Sequence, residues 1–170
     1  MLAIAEVGVL GGASRYYTVG VGGWQRSTTI NDVDGQPRNA NAGVYALGET
    51  DLWRGADGRG LAVLTQLGFA RGDRNRLSSY VGGGINWSGP FAQRSADIAG
   101  LAVAHARNSD QFRRLHATLE RAETTLEASY LITPKPWLSL QPDLQYVIDP
   151  STDSSIDNAL ILGMRVQVTL

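Results

Sequence analysis

The sequence contains no cysteine among its 170 residues, so disulfide bonds and thiolate metal sites are excluded. Its two histidines, His105 and His116, have no carboxylate partner at a ligand spacing, and we therefore predict no metal or other cofactor. The chain also lacks a basic excess, because its formal net charge is −1. This charge argues against nucleic acid as a partner. No Ser–His–Asp order and no pair of carboxylates suggests catalysis, so we do not predict an enzyme.

Long apolar runs are absent as well. Mean hydropathy is −0.14, and charged residues interrupt every long window of the sequence. No segment of about 18 apolar residues is available for a transmembrane helix. A membrane-spanning β-barrel remains open, because one face of each of its strands is polar and the hydropathy signal of each strand is weak.

The chain does contain alternation of apolar and polar residues, most clearly in its last third. A period of two predicts β-strand, because successive side chains of a strand point to opposite faces. The run from Leu138 to Ile148 departs from this alternation only at Val147, and the final run reaches the last residue. An apolar face that leads up to the C-terminus is typical of the closing strand of a membrane barrel. The apolar sets are Leu138, Leu140, Pro142, Leu144, Tyr146 and Ile148, then Leu160, Leu162, Met164, Val166, Val168 and Leu170.

About nine strands are predicted along the chain. Most of them have a length near the roughly 9–11 residues that a tilted strand needs to cross a bilayer. We expect an all-β fold, an antiparallel up-and-down transmembrane β-barrel, with residues 1–170 as its single domain. The predicted strands are Leu2–Val9, Ser14–Trp24, Gly43–Trp53, Gly60–Ala70, Leu77–Trp87, Asp97–Ala106, Ala122–Ile132, Trp137–Ile148 and Ala159–Leu170.

Short and long links between these strands largely alternate, as they do in transmembrane barrels. In the link before the seventh strand, Ser109 is expected to cap a short helix that runs through Glu120. The four tryptophans stand at predicted strand ends, where interfacial aromatic girdles lie; they are Trp24, Trp53, Trp87 and Trp137. The short links are Leu10–Ala13, Arg54–Arg59 and Thr133–Pro136, and the longer ones are Gln25–Ala42, Arg107–Arg121 and Asp149–Asn158.

Several segments resemble the carbohydrate-selective porins of the OprB type. The closing segments Trp137–Ile148 and Asp157–Arg165 carry the resemblance, which runs from about Tyr16 to the end. It implies a sixteen-stranded outer-membrane barrel that passes sugars passively in Gram-negative bacteria. Because only about nine strands are predicted here, we expect the C-terminal portion of such a barrel, and hence an open or incomplete wall. Further matching segments are Leu52–Arg54, Gly58–Val63, Asp73–Asn75, Gly82–Gly84, Ser88–Pro90 and Asp97–Ala104.

The resemblance also implies a location and partners. The location is the bacterial outer membrane, and the partners are the lipid bilayer, sugars in transit and the outer-membrane assembly machinery. Either a monomer or a homo-oligomer such as a trimer is consistent with the family. The segment Met1–Glu6 has neither the basic start nor the apolar stretch of an export signal. Because an outer-membrane protein must be exported, we expect the sequence to be a mature chain or a piece that begins elsewhere.

Planar polar side chains suit a sugar channel, because Asp, Glu, Gln and Arg offer paired acceptors or donors to hydroxyl groups. The alternation places such residues opposite the apolar face, and we predict that they line the pore and contact sugar. Trp53 is predicted to share this face with Glu49 and Asp51. The full set is Glu49, Asp51, Trp53, Glu127, Gln141, Asp143, Gln145, Arg165 and Gln167.

A soluble, lipocalin-like barrel that binds a small apolar ligand is the alternative. In that fold the apolar faces would turn inward and line a pocket. Gly22-Gly23-Trp24 resembles the early Gly-x-Trp of lipocalins, but the strand lengths and the missing closing helix argue against it. A truncated gene product without a present function is a third interpretation.

Overall fold

The computed structural model describes residues 1–12 and 15–169 and forms a single sheet of nine strands. Each strand is hydrogen-bonded to the strands that precede and follow it in sequence, and every pairing is antiparallel. The strands are β1 (Leu2–Gly11), β2 (Tyr17–Asn31), β3 (Pro37–Arg54), β4 (Gly60–Ala70), β5 (Leu77–Ser88), β6 (Ile98–Asn108), β7 (Ala122–Lys135), β8 (Leu138–Ile148) and β9 (Ala159–Val168).

The sheet is open, as expected for an incomplete barrel wall. Among the described residues, β1 and β9 are the outer strands and do not pair with each other. Because the sheet has an odd number of antiparallel strands, nine in the described residues, β1 and β9 run in the same direction. Direct closure between them would therefore need a parallel pairing, whereas every other neighbour in the sheet is antiparallel.

The two faces of the sheet differ in polarity. We use "register row" for a set of residues that are paired from strand to strand, since paired residues share a face. One register row contains Val63, Ile85, Leu101, Ala128, Leu144 and Leu162. The outermost of these, Leu162, is 80% exposed, and no apolar side chain in the described part of the chain is buried. This apolar face has no protein layer packed against it.

The strand boundaries agree with the sequence pattern from β4 onward and differ in β2 and β3. Strand β4 has the predicted bounds Gly60–Ala70. The predicted long link Gln25–Ala42 is wrong: β2 and β3 continue through it as a hairpin that turns at residues 32–36. An irregularity between Arg26 and Thr29 shifts the pairing there and hides the alternation. Predicted positions at Ala13, Ser14 and Leu170 lie outside the described residues.

The links between β6 and β7 and between β8 and β9 lie at one end of the sheet, which we call the long-link end. The link between β5 and β6, residues 89–97, is also long but lies at the opposite, short-link end. The link between β6 and β7 contains α1 (Asp110–Leu115), and the Ser109 hydroxyl accepts a hydrogen bond from the Phe112 amide, as predicted for the helix cap. The helix ends at Leu115, so the prediction that it runs through Glu120 is wrong. A short 3₁₀ segment, Pro150–Thr152, lies in the link between β8 and β9. Within residues 1–12 and 15–169, neither helical segment is long or apolar enough to cross a membrane.

Candidate functional site

Two adjacent register rows on the polar face of the sheet carry several of its polar side chains. From β3 onward the first row contains Glu49, Glu127 and Gln145, and it continues on β2 and β1 with Thr18 and Leu10; the second begins at Asp51 and also contains Ser129 and Asp143. In both rows the residues on β4, β5 and β6 are uncharged. The first row runs Glu49, Leu64, Gly84, Ala102, Glu127, Gln145, Ile161, and the second Asp51, Ala62, Asn86, Gly100, Ser129, Asp143, Gly163.

Eight of the nine residues predicted from the sequence share this face. In addition to those in the two rows, Gln141 is paired with Arg165 and Gln167 with Ser139. These partners are separated by one strand spacing, so their side chains form a continuous strip on β8 and β9. The structure thus brings together on one surface residues that the sequence places on four different strands.

Trp53 is the exception, and the prediction that it shares the face of Glu49 is wrong. The pairing shifts between Asp51 and Trp53, which places Trp53 opposite Leu61 on the apolar face. Leu61 is in turn paired with Trp87. A single extra residue in a strand moves the side chain of each later residue to the opposite face. The apolar–polar alternation of the sequence does not reveal this residue.

Trp24 also departs from expectation. It lies within β2 rather than at its end, and it is paired with Ile4 and Gly43 on the polar face. A Cβ atom built on Gly43 would lie 2.5 Å from Trp24 Nε1, so the indole covers the backbone of the neighbouring strand. The prediction that Trp24 belongs to an interfacial girdle at a strand end is wrong.

Two depressions lie on the polar face, one on each side of Gln66. The first has a volume of about 320 Å³ and includes Glu6, Thr18 and Glu49 in its lining. The second has a volume of about 250 Å³, and its lining includes Tyr80 and Glu127. Gln66 belongs to both. Each depression therefore combines carboxylate, amide and hydroxyl groups with exposed backbone and small side chains.

Some of these polar groups form hydrogen bonds within the protein, and others are exposed. Asp143 accepts a hydrogen bond from Gln145 Nε2 at 3.1 Å. Asp51 is only 7% exposed; it accepts a hydrogen bond from the Tyr16 amide and forms an ion pair with Arg54 at 2.8 Å. Asp51 thus anchors the link between β1 and β2, whereas the Glu49 side chain remains exposed. The two carboxylates that were predicted together therefore have different surroundings.

Sequence analysis missed Glu6, Gln66 and Tyr80, which also face this surface. The alternation is weak on their strands, because leucine and glycine share the polar face with them. Glu6 is paired with Gly22, Gln66 with Leu47 and Gly82, and Tyr80 with Gly68. Only the register with neighbouring strands, rather than any local pattern, identifies the face on which they lie.

The side chains of this surface can form hydrogen bonds with a solute that carries hydroxyl groups, in place of the bonds that such a solute forms with water. Carboxylate and amide oxygens accept from hydroxyl groups, and amide and guanidinium groups donate to them. No cluster of potential metal ligands occurs in the part of the chain that the structure describes. The arrangement fits a wetted wall along which solutes move.

Residues 11–170 match the family described as carbohydrate-selective porin, OprB family. The chain is similar to Porin B of Pseudomonas aeruginosa, with 26% identity over 166 residues that cover 81% of this chain and 37% of Porin B. Its fold is similar to the high-pH structure of Pseudomonas putida OprB, with a TM-score of 0.88 and 19% identity. That similarity covers 98% of this chain and 48% of the solved chain. The chain thus spans less than half the length of either relative.

Proposed function

The chain belongs to the OprB family of carbohydrate-selective porins, and from this premise we propose that it forms part of the wall of an outer-membrane channel through which sugars diffuse. One observation supports this function above all: the face that carries the carboxylate and amide side chains lies opposite an apolar face on a single sheet with no buried apolar core among the described residues. Such a sheet needs lipid on one side and water on the other.

Further polypeptide completes the channel wall in this proposal. Two features support it: the edges of β1 and β9 are unpaired in the described part of the chain, and the similar solved chain is about twice as long. In a bilayer, unpaired backbone groups at a sheet edge are costly, so the edges must find partners. The lipid bilayer, the outer-membrane assembly machinery and, in an oligomer, further copies are the proposed partners.

Passage requires no chemical step, so the proposed role is that of a channel rather than an enzyme. A sugar that enters loses water from its hydroxyl groups and regains hydrogen bonds from side chains on the polar face. Glu49, Glu127, Gln145 and Asp143 are proposed to supply them in mid-wall, and Gln141, Arg165 and Gln167 nearer the short-link end. Since each bond replaces one to water, the net gain is small, and the solute can leave as readily as it enters.

Liposome swelling in isotonic glucose tests this proposal. The protein to reconstitute is a chimera, called the completed barrel below, in which this chain replaces the matched stretch of Porin B. We expect glucose to enter and the vesicles to swell, while vesicles without protein remain unchanged. A completed barrel that inserts into the vesicles and resists protease, but admits no glucose, would overturn the proposed function.

A further inference from the structure

Three aromatic side chains lie on the polar face near the long-link end of the sheet. Tyr45 and Tyr80 are both paired with Gly68, so they flank that glycine in one register row. Trp24 lies in the adjacent row, paired with Gly43. All three side chains are half-buried. A depression of about 220 Å³ includes the three aromatic residues and Gly68 in its lining.

Each ring lies over a glycine. A Cβ on Gly43 would lie 2.5 Å from Trp24 Nε1, and one on Gly22 would lie 2.5 Å from the Tyr45 hydroxyl oxygen. Likewise, a Cβ on Gly82 would lie 2.7 Å from the Tyr80 hydroxyl oxygen. The absent side chains let the rings lie against the backbone, and a ring held in this way presents its other face to the interior of the channel.

We propose that Trp24, Tyr45 and Tyr80 form a binding site for a pyranose ring, on which the C–H face of the sugar stacks. The face of an aromatic ring carries partial negative charge, which attracts the polarised C–H groups of a pyranose. Rings already fixed against backbone lose little conformational freedom when a sugar binds. The proposal rests on the proposed function, because it assigns a place on the channel wall where sugars bind.

The surroundings favour a sugar over a purely apolar ligand. The Tyr45 hydroxyl lies beside the Glu6 carboxylate, and the Gln66 side chain lies on the same face two residues from Gly68. An apolar occupant would desolvate these groups without replacing their hydrogen bonds, which is costly. Glu6 and Gln66 lie outside the lining of the depression, so a pyranose stacked on the rings would meet them with the hydroxyl groups at its edge.

The emission of Trp24 provides a direct test in the completed barrel in lipid vesicles. Trp53, Trp87 and Trp137 are replaced by phenylalanine, so that Trp24 is the only indole that this chain contributes, and β-sheet content is checked by circular dichroism. The same barrel with Trp24→Phe in addition gives the background emission of the Porin B part. Glucose should change the emission of Trp24 saturably. Sorbitol, an acyclic polyol of the same carbon number, should not, because it has no ring face. If the triple variant does not fold, the difference between wild type and Trp24→Phe gives the same signal.

Two further variants separate stacking from packing. Tyr45→Leu should raise the half-saturating glucose concentration about two- to tenfold, the range for loss of one aromatic contact, whereas Tyr45→Phe should leave it near the original value. A chain that retains only Trp87, on the apolar face, should respond to neither solute. An equal response to glucose and sorbitol, or no response of Trp24, would overturn the site.

The swelling assay separates this proposal from the proposed function. Glucose entry through the completed barrel, together with an unresponsive Trp24, would refute the stacking site and leave the channel intact. A saturable Trp24 response in a completed barrel that admits no glucose would refute the channel and retain the site.

Discussion

Glu49 of β3 and Glu127 of β7 lie in the same register row, and the three residues between them are Leu64, Gly84 and Ala102. Acidic groups on two parts of the wall thus flank a stretch of uncharged and mostly small side chains. In a curved wall this arrangement leaves free space between the carboxylates, so the small residues are as much a part of the proposed channel as the charged ones.

The difference between the two faces predicts opposite effects of lysine at Leu162 and Gln167, both on β9. Leu162→Lys should lower the free energy of unfolding by about 2–4 kcal/mol if the residue lies near the bilayer midplane. Gln167→Lys should change stability little and alter the rate of sugar passage instead. Urea unfolding of the completed barrel in vesicles measures the first effect, and swelling measures the second. Equal tolerance of lysine at both positions would contradict the assignment of the faces.

Gly84 is predicted to tolerate no larger side chain, while its neighbour Gly83 should. A Cβ on Gly84 would lie 2.8 Å from the Leu101 carbonyl oxygen, whereas on Gly83 the nearest atom, the Leu64 carbonyl oxygen, would be 3.4 Å away. Backbone of a paired strand cannot move aside easily, so Gly84→Ala should cost about 1–3 kcal/mol. Gly83→Ala, compared in the same unfolding experiment, should be close to neutral. A larger loss for Gly83→Ala would contradict the register of β5.

Asp97 is predicted to make the link between β5 and β6 sensitive to acid. Its carboxylate is 2% exposed and accepts hydrogen bonds from the Tyr130 hydroxyl, the Thr133 amide and Arg94 Nε. Burial alone raises the pKa of Asp97, but these three bonds outweigh it and hold the pKa below its ordinary value. The folded state therefore binds this proton less tightly than the unfolded state does.

Because the pKa is lowered on folding, the stability that Asp97 contributes is present above the ordinary aspartate pKa of about 3.9 and is lost as the pH falls through the folded value. Wild type should have a lower urea midpoint at pH 3 than at pH 7. Asp97→Asn should be less stable than wild type at pH 7 and should show a smaller difference between the two pH values. Asp57→Asn, at an exposed turn, is the control. An unchanged pH dependence in Asp97→Asn would contradict this role.

Thr152 is predicted to hold two long links together. Its hydroxyl accepts hydrogen bonds from Asn108 Nδ2 at 2.7 Å and from Arg76 Nη2 at 3.0 Å, and both Thr152 and Asn108 are buried. Thr152→Val keeps the shape but removes this shared acceptor, while Asn108 Nδ2 still donates to the Glu120 carbonyl and Arg76 Nη2 to the Ser151 carbonyl. The loss should cost about 0.5–1.5 kcal/mol. Trypsin should then cut more rapidly after Arg113 in the link between β6 and β7. Ser155→Ala, which removes an exposed hydroxyl bonded only within its own link, to Asp153, should have no such effect, and equal cleavage of both variants would exclude the role.

The sequence alone predicts those strands whose two faces differ strongly in polarity. Strands β8 and β9 alternate almost without exception, because every second residue must suit lipid in the proposed membrane setting, so their bounds and faces follow from period two. The end of β2 and the start of β3 escape prediction, because this part of the hairpin carries polar side chains on both faces. Thr29 and Asn39, for example, are hydrogen-bonded to each other across the strand pair.

The parts of the site that sequence cannot predict depend on register between strands. The orientation of Trp53 follows from one extra residue after Asp51, and the position of Trp24 over Gly43 follows from the pairing of β2 with β3. The orientation of Trp53 thus depends on a change of phase within one strand, and the position of Trp24 depends on the pairing of two strands. A periodic pattern contains neither kind of information.

In the proposed channel the polar face of the wall contacts water and the apolar face contacts lipid. Cysteine labelling tests this assignment directly. The chain contains no cysteine, so Gln145→Cys and Leu144→Cys can each be introduced without background from this chain, on adjacent residues of β8. The completed barrel without either change measures any labelling of the Porin B part. In the completed barrel, a membrane-impermeant thiol reagent should modify Cys at position 145 rapidly and slow the entry of glucose. At position 144 it should react little and leave entry unchanged. Equal modification at both positions, or modification at 145 without any effect on glucose, would contradict the account.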